Sequence, residues 1–569
     1  MADGCPGPGR PRQIALLIGA GQFDAGFKPL EGAANDVAAL ADVLHKRWCF
    51  AKEDIKVLLN RQPHAEATRE NILHELRALA ARSKPGDSIL IYFSGHGSSA
   101  HDSQSKWDAE LAPLPHDSGA FLPVDAKRNG ENLLIGRRDL KPILLELEKR
   151  NPVWLIADAC YSGEYVRDPR FAKRALPAFT PRLASLEHQR RKPLAERERA
   201  IRLQPSPYPY MQVQFLAAAA AGEVAVELPG GGDPFSGSRD GAAHGALSDT
   251  LLRILHGELD ADANRDGFLS LEEVQSAAAG FMQRRPYGHS AQRLPRASED
   301  NNGLLAAPVL LRRITPSAPA SERGPLRLRV DSALQDDKAL WQALKKPLQQ
   351  WRQQGLLAMQ SDTAQTAEFS ISRYGGGLQI KDSDEADVLS WAALDAPAQQ
   401  DFLQHVHALA FWHALRNAAA AARTAVISLD VEAPGRGDIL QQGQALREVA
   451  RAAAPAQWLV LHLHAKGQVH IYAPPPGQLL QLPGAQQERL LTQADTGLQW
   501  YLYLAFDAQD QTMQALRTAL LDASQSGSLT LQDAALAQLL KRLQQRARKT
   551  GPAPRLEAAW RSLQVLPRD

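Results

Sequence analysis

A cysteine and a histidine stand at matching places along this 569-residue chain, each just past a short apolar run. Cys160 lies in Asp158-Ala159-Cys160-Tyr161-Ser162-Gly163, after the run Val153-Trp154-Leu155-Ile156-Ala157. His96 lies in Ser94-Gly95-His96-Gly97, after Ile89 to Phe93. A thiol becomes a strong nucleophile as thiolate, and a neighbouring imidazole supplies that activation. Short apolar runs read as buried strands, and open α/β sheets hold their active sites beyond the carboxyl ends of the strands. The two segments therefore predict a Cys-His nucleophile pair on a parallel sheet, with a buried structural cysteine as the competing reading. Side chains two apart on a strand share a face, so Asp158 points the same way as Cys160. A carboxylate there raises the thiol pKa unless a positive charge compensates it, and a cationic substrate side chain would do so.

A second constellation suits a metal ion. Residues 262–273 match a 12-residue EF-hand loop position for position. Asp262, Asn264 and Asp266 offer side-chain oxygens, Gly267 the sharp turn and Phe268 its carbonyl. Ser270 acts through water, and Glu273 closes the site bidentately. Helical patterns flank the loop. The expected cofactor is one Ca²⁺, and the competing reading is a vestigial acidic helix–loop–helix.

The elements that must position these residues alternate. Strands are expected at Ile14 to Gly19, Asp54 to Leu59, Ser88 to Phe93, Val153 to Ala157 and Met211 to Leu216. Helices are expected at Asn35 to Phe50, Ala67 to Arg82, Asp139 to Arg150 and Gly245 to Leu259. That order means βαβ units and an α/β fold with a mostly parallel sheet. Residues 1–12, rich in Pro and Gly, read as a disordered N-terminus. Residues 166–204 hold 11 Lys or Arg against 4 acidic residues and read as a long basic loop. Residues 313–325 read as a linker. Beyond it, 326–420 reads as a small α+β module, 421–510 as a β-rich module and 511–569 as a helical C-terminal segment. The β-rich module shows a hairpin, Trp458 to His464 and Gln468 to Tyr472, whose His462, His464 and His470 read as a solvated face rather than a metal site.

The two strand-end motifs, in this order and separation, resemble the paired signatures of caspase-like cysteine peptidases in their metacaspase or bacterial orthocaspase branch, peptidase C14 type. Leu30-Glu31-Gly32-Ala33-Ala34-Asn35-Asp36 resembles a third element of that family. The resemblance covers residues 13–312 and implies a caspase-like three-layer α/β/α sandwich. It implies Cys160 as nucleophile, His96 as general base, and the Gly97 and Cys160 N–H groups as the oxyanion hole. It also implies that Asp158, Asp36 and Ser94 line a pocket for an Arg or Lys side chain at P1. Caspases that cut after Asp carry an Arg where this chain has Leu30, and write the nucleophile motif as Gln-Ala-Cys. The expected function is a cysteine endopeptidase cleaving protein substrates after Arg or Lys. Arg167, Arg174, Arg190, Arg191 and Arg199 in the basic loop are its candidate self-cleavage sites. The alternative is a catalytically inactive caspase-like scaffold that binds Ca²⁺ and recruits a partner protein.

A net charge of +2 gives no global field to draw the chain to nucleic acid, and no apolar run is long enough to span a membrane. Three cysteines, Cys5, Cys49 and Cys160, are too few for a disulfide framework. Cys49 reads as a core thiol and the compartment as cytoplasmic, or as periplasmic or secreted if a signal peptide has been removed. The modules beyond residue 325 carry no catalytic constellation and are expected to bind a regulatory partner.

Overall fold

The computed structural model describes residues 11–24, 27–60, 65–98, 120–127, 131–159, 208–219, 225–230, 238–262, 267–283, 289–311 and, with short breaks, 325–566. Cys160, Asn264, Asp266 and the five arginines of the basic loop lie outside the described residues. The chain divides into two compact units, Met1–Pro316 and Ser317–Asp569.

In the first unit the apolar runs become β1 (Gln13–Ala20), β2 (Ile55–Leu59), β3 (Ser88–Gly95), β4 (Val153–Asp158) and β5 (Val213–Ala217). They are parallel, in the order β5-β4-β3-β1-β2. An antiparallel edge strand, β6 (Gln292–Leu294), completes the sheet beside β5. Every residue of β1, β3, β4 and β5 is buried, because helices cover both faces. Such strands read as continuous apolar runs rather than alternating ones. Helices α1 (Gly32–Arg47), α4 (Ala246–His256) and α5 (Leu271–Gln283) share one core with Leu90, Tyr92, Trp154 and Ile156. Helices α2 (Arg69–Arg82) and α3 (Lys141–Leu147) share the other with Ile91, Phe93, Leu155 and Ala157. The result is the α/β/α sandwich expected from the sequence.

Two expectations for this unit fail. Arg12, placed in a disordered arm, is anchored: its guanidinium pairs with Asp54 at 3.2 Å and with Asp87 at 2.9 Å. Cys49, expected as a core thiol, is disulfide-bonded. A disulfide persists in oxidising surroundings, so the low cysteine count does not imply a reducing compartment. Cys49 follows Trp48, whose carbonyl accepts from Gln13 at the amino end of β1. That is the end of the sheet opposite Ser94 and Asp158. Among the described residues no helix is long and apolar enough to cross a membrane.

The second unit has a five-stranded sheet. β7 (Leu326–Val330) lies between β8 (Leu357–Gln360) and β9 (Phe369–Tyr374), followed by β10 (Gly377–Asp382) and β11 (Asp387–Trp391). A larger sheet is built on the 20-residue β12 (Ala445–His464), with β13 (Gln468–Tyr472), β14 (Gly497–Phe506) and β15 (Leu556–Leu566). One hydrophobic core runs from Leu326 to Ala558 and joins the segments that the sequence suggests as separate modules. The C-terminal stretch is not helical throughout. β15 pairs with β14 from Leu556 to Val565, inside the sheet. The hairpin register is as expected, His462 opposite His470. Its histidine face is not solvated throughout, however: His464 and His470 are partly exposed, but His462 is fully buried, stacked on Tyr501 at 4.2 Å, and bonded through Nε2 to Gln499 at 2.7 Å.

Candidate active site

The sheet ladder sets the site. β3 and β4 run in parallel register, so Ser94 lies beside Asp158 at their carboxyl ends. Both continue the series of Tyr92 and Ile156 toward α1 and α4. Their side chains meet those helices: Ser94 donates its hydroxyl to Asp36 of α1 at 2.7 Å. Asp158 Oδ2 accepts from the Ser248 backbone N–H of α4 at 2.7 Å and from its hydroxyl at 2.5 Å. Asp36, Ser94 and Asp158 are all buried, and the structure brings together the three residues expected to form the pocket.

Burial dominates the electrostatics here. It pushes the Asp158 carboxyl up to about 7, and the charge of Asp36 adds to the rise. Burial raises Asp36 as well, opposed by hydrogen bonds from His244 and Ser94. Among the described residues no arginine or lysine contacts either carboxylate, and Asp158 Oδ1 carries no hydrogen bond.

His96 follows β3 directly and is buried. Its Nε2 lies 2.7 Å from the Lys28 carbonyl, and the Phe23 ring lies 5.2 Å from its own. A carbonyl only accepts, so Nε2 is the donor and Nδ1 keeps the lone pair of the neutral ring. Burial lowers the His96 pKa, and the Lys28 charge lowers it further, which keeps the ring neutral near pH 7 as a base must be. Close approach explains the glycines. A Cβ on Gly95 would lie 2.7 Å from the Ala20 carbonyl oxygen, and one on Gly21 would lie 2.2 Å from that of Leu30. Gly97 begins a two-residue strand opposite Phe121.

Several site residues are not legible in the sequence. Glu227 accepts from the N–H groups of Gly32 at 2.9 Å and Glu31 at 3.3 Å, capping the amino end of α1 with a carboxylate. His244 places Nδ1 at 2.7 Å from Asp36. Gly245 donates its N–H to the Asp36 carboxylate at 3.2 Å. The Tyr92 hydroxyl lies 2.5 Å from that of Ser248. All but Tyr92 come from residues 227–248, far along the chain from Asp36. The available signal was a His-Gly pair followed by a serine at the start of an apolar helix.

At the EF-hand-like loop, Gly267 has the left-handed φ of 86° that suits glycine, and its N–H lies 3.0 Å from Asp262 Oδ2. Glu273 Oε2 accepts from the N–H and hydroxyl of Ser270 at 3.0 and 2.9 Å. Ser270 Oγ accepts from the Glu273 N–H at 3.3 Å. This reciprocal pair is a capping box for α5. The Leu269 carbonyl, next to Phe268, accepts from Val309 at 2.8 Å, and Ser270 bridges Pro308. Among the described residues no group of three or more His, Cys, Asp or Glu is arranged to hold a metal. Asp262 and Glu273 are both buried, and their oxygens are of the chemistry Ca²⁺ takes.

Comparison with known proteins finds relatives of the first unit. The metacaspase, peptidase C14 domain family matches residues 13–169. Metacaspase-1B of Aspergillus oryzae is 27% identical over 314 residues, which are 48% of this chain and 67% of that protein. Metacaspase-1 of Sclerotinia sclerotiorum is 33% identical over 155 residues, which are 27% of this chain and 34% of that protein. Both relatives are fungal, so the bacterial branch expected from the motifs finds no support in them. A solved structure, protein GSU0716 of Geobacter sulfurreducens, covers 50% of this chain and 93% of its own at 19% identity, with a TM-score of 0.32, a likeness too distant to carry an argument. Over residues 13–169 the first unit of this chain is similar to the metacaspase, peptidase C14 domain, and its relatives are metacaspases.

Proposed function

We propose that this chain is a cysteine endopeptidase that cleaves protein substrates after arginine or lysine. The observation that carries the basic preference is the pair of buried carboxylates, Asp36 and Asp158, at the ends of the active-site elements. Neither meets an arginine or lysine among the described residues. Burying a carboxylate without a cation is costly, and a P1 guanidinium or ammonium supplies that cation. Asp158 Oδ1 is its first contact, with Asp36 and Ser94 behind it.

In this reading Cys160 attacks the scissile carbonyl and forms a thioacyl intermediate. His96, oriented by the Lys28 carbonyl, takes the thiol proton at Nδ1 and gives it to the leaving amine, then activates the hydrolytic water. The N–H groups of Gly97 and Cys160 receive the oxyanion. Ca²⁺ belongs to the same proposal. Asp262, Asn264, Asp266, the Phe268 carbonyl, Ser270 and Glu273 would hold it, and it would supply a fixed charge between α4 and α5. Glu273 would exchange its bond to Ser270 for the metal. Self-cleavage after Arg167, Arg174, Arg190, Arg191 or Arg199 is part of the reading too.

Reporter peptides differing only at P1 test it, with Cys160→Ala as control and Ca²⁺ present or chelated. Hydrolysis of the Arg and Lys reporters, lost in Cys160→Ala, is the expected result. Equal rates on Asp-P1 and Arg-P1 reporters would overturn the preference. Intact masses of wild type and Cys160→Ala report self-cleavage; one identical mass for both rejects it.

A further inference from the structure

Two buried carboxylates that share neighbours need a compensating charge when the pocket is empty. Asp36 and Asp158 both press on Gly245. Its N–H lies 3.2 and 3.3 Å from the Asp36 oxygens, and a Cβ on it would lie 2.1 Å from Asp158 Oδ2. The preceding residue, His244, is 1% exposed. Its Nδ1 lies 2.7 Å from Asp36 Oδ1, and its Nε2 lies 3.1 Å from Asp240 Oδ1. Carboxylate oxygens only accept. Both contacts are hydrogen bonds only if both ring nitrogens carry protons, and a neutral imidazole has one. The geometry is that of an imidazolium between two carboxylates.

The charged and titratable groups around His244 agree. Asp36 faces it from α1, and Glu227 comes from the strand paired with residues 244–245. Asp240 and Arg239 lie in the segment just before it, and Asp158 and Tyr92 lie beyond Gly245 on β4 and β3. Acids dominate this set. Burial alone would lower the His244 pKa, but the hydrogen bonds and charges of Asp36 and Asp240 outweigh it and the net shift is upward.

We propose that His244 is a specificity-positioning residue: clamped as an imidazolium between Asp36 and Asp240, it keeps Asp36 ionised and internally committed, so that Asp158 alone receives the P1 cation of the substrate. This rests on the basic-P1 reading. Without the imidazolium charge, a proton must take its place, held between Asp36 and Asp158. The incoming cation must then displace that proton, so recognition of a charged P1 fails at higher pH than in the wild type.

Two substitutions test this in the full-length chain. His244→Asn keeps an N–H donor toward Asp36 but no charge. Asp240→Asn removes the outer carboxylate, which is partly exposed and therefore a mild change. The ligands are matched peptide aldehydes ending in arginine or in citrulline, which has nearly the same shape without the charge. Their dissociation constants are measured by calorimetry from acid to mildly alkaline pH. For the wild type the preference for arginine over citrulline falls below a midpoint pH. In His244→Asn that midpoint should rise by about one to three pH units, the effect of one nearby opposite charge. Asp240→Asn should move it the same way by less. If His244→Asn fails to fold, citrulline binding is lost as well, and Asp240→Asn carries the test. An unmoved midpoint, or equal weakening of both ligands in a folded variant, overturns the role of His244. Equal affinity of the wild type for both ligands instead overturns the basic-P1 reading on which it rests.

Discussion

Replacing Asp158 by asparagine should stabilise the fold while removing recognition of a basic P1 residue. Burial, with the charge of Asp36, lifts the Asp158 carboxyl from 3.8 to about 7. The folded chain therefore holds a proton that the unfolded chain releases. Stability from this group is fully present below the unfolded value and is lost as the pH rises to about 7. The rise of about three units corresponds to about 4 kcal/mol at alkaline pH, and to nearer 2 kcal/mol if Asp36 shares the proton. Asparagine keeps a carbonyl for Ser248 and carries no charge, so Asp158→Asn should gain about 2–4 kcal/mol above pH ~7 and much less at mildly acidic pH. Urea unfolding of the full chain at both pH values, in a Cys160→Ala background, measures the difference. The transition that moves with the variant is that of the first unit. A stability–pH profile identical to that of the parent, or a loss of stability at alkaline pH, would refute the claim that an uncompensated charge is buried there.

Other expectations follow from named contacts. Gly245→Ala forces a methyl onto Asp158 and should cost about 1–3 kcal/mol in thermal or urea unfolding, with weaker binding of Arg-P1 substrates seen as a higher KM. The acid limb of kcat/KM for an Arg-P1 reporter should fall near the Asp158 value of about 7 rather than lower, where burial holds His96; a pH profile of wild type checks this. Asp262→Asn should weaken Ca²⁺ binding by roughly tenfold or more, read by calcium titration of the protein itself. With Cys49 in a disulfide, one thiol of three should react with a thiol reagent under denaturing, non-reducing conditions, and all three after reduction.

Much of the first unit was legible because its strands are buried on both faces. Residues 89–93 and 153–157 are apolar throughout, the pattern of a parallel strand covered on both faces. The end of β15 was not legible in the same way. Leu556 to Leu566 has no strong period of its own, and it is a strand because β14 offers a full-length antiparallel partner. The hairpin pairs His462 with His470 as its sequence predicts, but the burial of His462 depends on Tyr501 and Gln499 of the neighbouring β14. The spacing of Ser270 and Glu273 suits metal ligands. The same spacing is that of a capping box, and in the structure they bond to each other.

The sequence alone determined the chemistry at the strand ends: which residue can attack, which can accept a proton, and that an acid stands two residues before the nucleophile. These depend on residue type and local period, which neighbours in sequence define. Only the tertiary structure decided what compensates that acid. His244, Gly245 and Ser248 reach Asp36 and Asp158 from a distant segment, because α4 and the short strands before it pack across the ends of β3 and β4. Charge compensation in a buried pocket acts through space, over a few ångströms, between residues as far apart in the chain as His244 and Asp36, 208 positions.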